Sequence, residues 1–252
     1  MLATLSPQRR RLAVGVGVLA LGLAVVAAVA TATSRRTPAV TPDAEVPIVV
    51  VPGYGGDAGS VATLAAHLEA LDRPVRVVEL PELGTGPLGE SARALGRAVE
   101  RLEVSQVDLV GFSAGGVVIR YWVAELGGDD LARRVVTLGS PHHGVDLAAR
   151  LGGLSAADCR GACADLRPGS QAIRDLNAGD ETPGEASWTT IRTTGDEVVT
   201  PIDSALLDGA TNLLLQDLCP GERVSHGGLA GDPLPLALTL AAVDGRPPTA
   251  VC

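Results

Sequence analysis

Lysine is missing from this sequence, and aromatic residues are almost missing. Every basic side chain is arginine, aromatics make up 2% of 252 residues, and the net charge is −9. Nucleic-acid partners call for a basic patch, and an acidic chain with no visible basic cluster excludes them. With so few rings, a core must come from valine, leucine, isoleucine and alanine, and valine runs of that kind suit parallel strands buried on both faces. No internal repeat is visible. No acidic cluster commits the chain to calcium, and the cysteines lack the nearby histidines of a zinc site. No metal and no cofactor is expected.

What is present begins with the N-terminus. Arg9, Arg10 and Arg11 precede an uncharged run from Leu12 to Ala32, and Arg35 and Arg36 follow. A positive start before an apolar run is an export pattern. Residues 1–33 read as a signal peptide with an A-x-A site at Ala28-Val29-Ala30, or as a membrane anchor through residues 12–32, which are just long enough to span a bilayer. No cysteine ends the run, which argues against a lipoprotein. Residues 34–46 are rich in Thr, Pro and Ala and read as a linker. Residues 47–252 remain for one domain, expected on the outer face of the membrane or beyond it, and expected to act as a monomer.

All four cysteines fall in that exported part. An even count in an oxidising compartment points to two disulfides. Three pairings are open, and the spacings favour Cys159–Cys163 and Cys219–Cys252.

The domain alternates strands and helices. Strands are expected at Ile48–Val51, Val75–Leu80, Val107–Val110, Val135–Leu138, Trp188–Thr194 and Thr211–Gln216. Helices are expected over about 58–71, 89–102, 114–126 and 170–176, and residues 144–185 are otherwise irregular. This order implies βαβ units and a mostly parallel six-stranded sheet flanked by helices.

Gly111-Phe112-Ser113-Ala114-Gly115 fits G-x-S-x-G, with a strand entering and a helix leaving. That context is a nucleophile elbow, a strained turn that lifts a serine hydroxyl above the sheet. A serine needs a base, and the sequence offers four histidines. His67 lies early, in a helix, and reads as a surface residue. His142 and His143 follow the strand after the elbow and read as structural or loop residues. His226 lies beyond every candidate acid, in the chain order such a site requires. Asp196, just past the fifth strand, is the expected acid; Glu197, Asp203 and Asp217 compete with it. Two backbone N–H groups should hold an oxyanion, from Ala114 after the nucleophile and from Tyr54 in the turn after the first strand.

These segments together resemble the small secreted bacterial lipases and esterases of the α/β-hydrolase superfamily. The carriers are Val51-Pro52-Gly53-Tyr54-Gly55, Val107 to Gly116, Val136 to Gly144, Asp196 to Val199, and Ser225-His226-Gly227. The resemblance implies a minimal α/β-hydrolase fold. It also implies Ser113, Asp196 and His226 as catalytic residues, Tyr54 and Ala114 as oxyanion donors, and a lipid or small ester as substrate. Pro52 stands where the family often has histidine, as does Phe112. Two other readings use the same residues differently: an acyltransferase of the cell envelope, and a catalytically silent binding module.

Overall fold

The computed structural model describes residues 45–150, 158–249 and 252. The export segment and nearly all of the linker lie outside the described residues. Among the described residues no helix is long and apolar enough to cross a membrane.

In chain order the elements are β1 (Ile48–Val51), α1 (Ala62–Glu69), β2 (Val75–Val77), α2 (Leu88–Glu100), β3 (Val107–Phe112), α3 (Ala114–Glu125) and β4 (Ala132–Leu138). There follow short α4 (Leu147–Arg150), α5 (Ala162–Asp165) and α6 (Gln171–Leu176), then β5 (Ser187–Arg192), β6 (Thr211–Leu214), short α7 (Leu215–Leu218) and α8 (Pro233–Val243). The strands form one sheet in the order β2-β1-β3-β4-β5-β6, and every neighbouring pair is parallel. All six expected strands are present, in the α/β-hydrolase arrangement.

A parallel sheet of this kind needs both faces covered, and β1 shows how the sequence achieves it. Ile48 and Val50 point into one apolar cluster with Leu64, Leu68, Leu234 and Leu238, from α1 and α8. Val49 and Val51 point into the other, with Leu95, Val99, Val118 and Trp122 from α2 and α3. Alternate residues of one strand thus fill two cores, so the strand reads as a continuous valine run.

Several bounds depart from expectation: β2 ends at Val77 rather than Leu80, β4 begins at Ala132 rather than Val135, and β5 ends at Arg192 rather than Thr194. The last strand stops at Leu214, so Asp217 lies exposed in α7 and does not end a strand. Helix α8 lies beyond the expected elements. It opens on Pro233, which a first helical turn tolerates because that N–H has no helical acceptor. Its buried residues occur all round, including Leu234, Leu236, Leu238, Ala241 and Val243, so no amphipathic period marks it.

Strand order sets where a site can form. The chain runs from β1 outward to β2, then crosses back over β1 to β3. The carboxyl ends of β1 and β3 therefore flank the point where the order reverses, the crevice in which open α/β sheets bind ligands. Val51 at the end of β1 lies opposite Gly111 of β3. The turn at 52–56 and Ser113 emerge side by side.

Candidate active site

Ser113 occupies the sharp turn between β3 and α3 with φ 54° and ψ −126°. A residue with a Cβ rarely adopts that conformation, and such strain collects at functional sites. The backbone N–H of Ser113 donates to Leu138 O of β4 at 2.8 Å, which fixes the turn to the sheet. The flanking glycines are a matter of space. A Cβ on Gly111 would stand 2.5 Å from Gly116 N, and a Cβ on Gly115 would stand 2.2 Å from Val51 O. The second contact matters most, because it shows the first turn of α3 seated directly on the end of β1.

Three side chains from three separated segments meet here. Ser113 Oγ and His226 Nε2 are 2.9 Å apart. His226 Nδ1 and Asp196 Oδ2 are 2.8 Å apart. All three residues are less than a tenth exposed. The other carboxylate oxygen of Asp196 accepts the N–H groups of Val198 at 2.9 Å and Val199 at 2.7 Å. Asp196 is thus locked by its own loop, with one oxygen left for the imidazole. Phe112 packs beside the imidazole, with ring centroids 5.1 Å apart.

The competing acids are placed elsewhere. Glu197 is next to Asp196 but accepts the backbone N–H of His226 through Oε2 at 3.0 Å. It holds the histidine's main chain, a contact that sequence adjacency to Asp196 did not reveal. Asp203 is exposed, 3.8 Å from Arg192 Nε. Among the histidines, His67 is exposed in α1. His143 Nε2 lies 2.9 Å from Glu181 Oε1. His142 is wholly buried, with Nε2 3.1 Å from Thr137 Oγ1. Burial, then the charge of Arg120, then His143 hold its pKa well below the usual imidazole value.

The expected oxyanion donors lie on the two elements that meet at the elbow. Among the described residues neither the Tyr54 nor the Ala114 N–H has a hydrogen-bond acceptor. Ala114 N–H is at the N-terminus of α3, where the helix dipole favours negative charge. Gly53, just before Tyr54, approaches Ser113 so closely that a Cβ there would stand 3.0 Å from Ser113 Cβ.

Arg120 was not singled out from the sequence. It sits within α3 and is fully buried. Its guanidinium donates to the carbonyls of Glu181 at 2.9 Å, Leu176 at 2.7 Å and His142 at 3.3 Å, and to Asn177 Oδ1 at 2.6 Å. Burial lowers its pKa to about 10, partly offset by Glu181 and Asp180. It therefore carries its charge at neutral pH and ties the helix behind the serine to the loops after β4 and α6. One charge inside the apolar run Val117-Val118-Ile119-Arg120-Tyr121-Trp122 was the available signal.

Cys159 is joined to Cys163 and Cys219 to Cys252. Disulfides are compatible with an extracellular protein. Among the described residues no group of His, Cys, Asp and Glu side chains could hold a metal ion.

The family model of palmitoyl protein thioesterases matches residues 47–177, more than half of the chain. The chain belongs to that family. The matched stretch contains Tyr54, Ser113 and Ala114 but stops short of Asp196 and His226, so the assembly of those two rests on geometry. Among solved structures this thioesterase-family chain is similar to Aspergillus fumigatus lipase B, with a TM-score of 0.72 and 22% identity over 84% of this chain and 56% of that one. The propeptide form of the Bacillus licheniformis lipase BlEst2 gives 0.65 and 20% over 85% and 54%. The product of the Listeria innocua gene lin2722 gives 0.57 and 17% over 81% and 95%. The chain thus spans little more than half of the two lipases, and the likeness is one of fold. No curated protein matches the sequence.

Proposed function

We propose that this chain is a serine hydrolase that cleaves carboxylic esters of lipids through an acyl-enzyme. The observation that carries the reading is the unbroken hydrogen-bonded line from Ser113 Oγ through His226 to Asp196, with each link under 3 Å. Ser113 Oγ attacks the acyl carbon, and His226 Nε2 takes its proton. Asp196 Oδ2 accepts a hydrogen bond from the Nδ1–H of His226 and stabilises the imidazolium as it forms. The carbonyl oxygen becomes an oxyanion held by the N–H groups of Tyr54 and Ala114. The intermediate collapses, the C–O bond to the alcohol breaks, and His226 returns a proton to the leaving oxygen. Water then repeats the sequence on the acyl-enzyme, and the carboxylic acid leaves with Ser113 restored.

The family match favours a second substrate class for the same site, an acyl thioester. The chemistry changes at one step only. A thiol leaves with a pKa near ~8.5, so it needs less help from the imidazolium than an alcohol does. The test is hydrolysis of p-nitrophenyl butyrate and of a palmitoyl thioester by the native chain and by Ser113→Ala. The variant should lose nearly all turnover on both substrates while its circular dichroism stays unchanged. Retained turnover in a folded Ser113→Ala chain would overturn the proposal.

A further inference from the structure

The turn Pro81–Gly84 stands beside the candidate site and has two unusual properties. Its backbone is strained. Glu82 and Leu83 have φ of 50° and 55°, and Gly84 follows at 74°. Among the described residues these are the only two consecutive residues with side chains in the left-handed region. It also carries an exposed apolar side chain. Leu83 is 53% exposed, and Leu126 is the only other large apolar residue described as exposed.

The turn is held from both sides. From outside, Ala162 lies within the loop closed by Cys159 and Cys163 and donates its N–H to Thr85 O at 3.0 Å and Gly86 O at 2.8 Å. Asp165 Oδ2 accepts the Leu88 N–H at 2.9 Å. On the inside, a Cβ on Gly84 would stand 3.4 Å from Gly53 O, and a Cβ on Gly53 would stand 3.5 Å from Ser113 Oγ. Gly84, Gly53 and Ser113 are therefore stacked in direct succession. Leu83 stands one residue from the first of them.

We propose that Leu83 determines acyl-chain specificity, forming an apolar rim over which the acyl chain of the substrate lies. The inference rests on the ester-hydrolysis reading. An exposed leucine contributes little to folding, and a strained backbone persists only where its surroundings enforce it. Here the disulfide-closed loop enforces it and presents an apolar group next to the turn that carries Tyr54. The matching substrate group is the alkyl chain that begins at the carbon attacked by Ser113. On this reading a butanoyl chain is too short to gain from the rim, and a hexadecanoyl chain is long enough to cross it.

The test compares kcat/KM for p-nitrophenyl butyrate and p-nitrophenyl palmitate in the same detergent, using native chain, Leu83→Asn and Leu83→Met. Asparagine suits the left-handed backbone, so that variant keeps the fold while removing the apolar group. Covering the exposed half of a leucine corresponds to about tenfold, so Leu83→Asn should lower the palmitate value about tenfold. Its butyrate value should stay within about twofold, and Leu83→Met should keep both values near native. An unchanged palmitate-to-butyrate ratio in Leu83→Asn overturns the inference and leaves the proposed function standing. Equal losses in the asparagine and methionine variants also overturn it. A native chain inert to esters and thioesters alike overturns the proposed function and this inference with it.

Discussion

Gly115→Ala adds one carbon, and the place where that carbon must go is already occupied. Its Cβ would lie 2.2 Å from Val51 O and 2.6 Å from Pro52 O, where ordinary contact begins at 3.4 Å. Both neighbours are backbone atoms of β1 and its turn, so neither can swing aside as a side chain would. Val51 pairs with Gly111 in the sheet. The strand end or the start of α3 must therefore retreat by about 1 Å, and a displacement of that size can cost about 10²-fold in rate. The two expected oxyanion donors sit on the two parts being pushed apart, and losing one such donor costs about 10²–10³-fold in kcat. The expected fall in kcat on p-nitrophenyl butyrate is thus about 10²–10³-fold, with about 1–3 kcal/mol of lost stability from overpacking. Gly227→Ala is the control. Gly227 adjoins His226 in sequence, yet a Cβ there meets nothing within 4 Å, so its kcat should stay within about twofold. The assay needs a thermal melt and a titration of active serines beside the turnover measurement, so that misfolded chains are not counted. A well-folded Gly115→Ala enzyme with near-native kcat would refute the reasoning, because the close seating of α3 on β1 would then not set the donor geometry.

Three further outcomes are expected. Asp196→Asn should cut turnover by about 10⁴-fold, whereas Asp217→Asn should leave it within about tenfold, since Asp217 is exposed in α7; steady-state kinetics of both variants on one ester check this, and the reverse ranking would move the acid. His142 is held neutral in the folded chain, so as pH falls below the ordinary value near ~6.5 the unfolded chain gains a proton that the folded one does not, and stability drops. Relative to His142→Gln, the native chain should lose more stability between about pH 6 and pH 5, measured by urea titration; parallel stability curves would contradict it. Reduction should lower the melting temperature unequally, because the two bridges close loops of sequence separation 33 and 4; the loop-entropy relation gives about 4 kcal/mol for Cys219–Cys252 and about 2 kcal/mol for Cys159–Cys163, and calorimetry of Cys219→Ser and Cys159→Ser variants tests the ranking.

What the sequence revealed follows from where local rules apply. The elbow was legible because three of its constraints are local: a strand, a turn that needs glycine around Ser113, and a helix. Elimination among four histidines pointed to His226, and its Nε2 lies 2.9 Å from Ser113 Oγ. Position along the chain pointed to Asp196, and the contact itself joins residues 30 apart. Glu197 could not be assigned that way, because its bond to the His226 main chain depends on how two loops lie together. Helix α8 escaped for the opposite reason. It is apolar on every side, and a buried helix with no polar face carries no period to read. The expected last strand runs two residues past the observed one because Leu213 to Leu215 continues as one apolar run while the backbone turns from strand into α7.

Asp108 lies at the far end of β3 from Ser113, wholly buried against Arg73 and Arg133. Arg73 also reaches Val46 O and, with Arg134, Val243 O, so this one carboxylate gathers the start of β1, the approach to β2, the start of β4 and the end of α8. At ~3.3 Å of rise per residue, five residues of strand put it roughly 16 Å from the serine. The sheet thus has a working end and a foundation. Damage to the foundation shortens the lifetime of each molecule, because a buried arginine stripped of its partner is costly, but it leaves the speed of surviving molecules alone. A screen that reads only total activity would confuse the two. One that follows activity through time after warming would separate them, and would recover changes around Asp108 as faster decay from an unaltered starting rate.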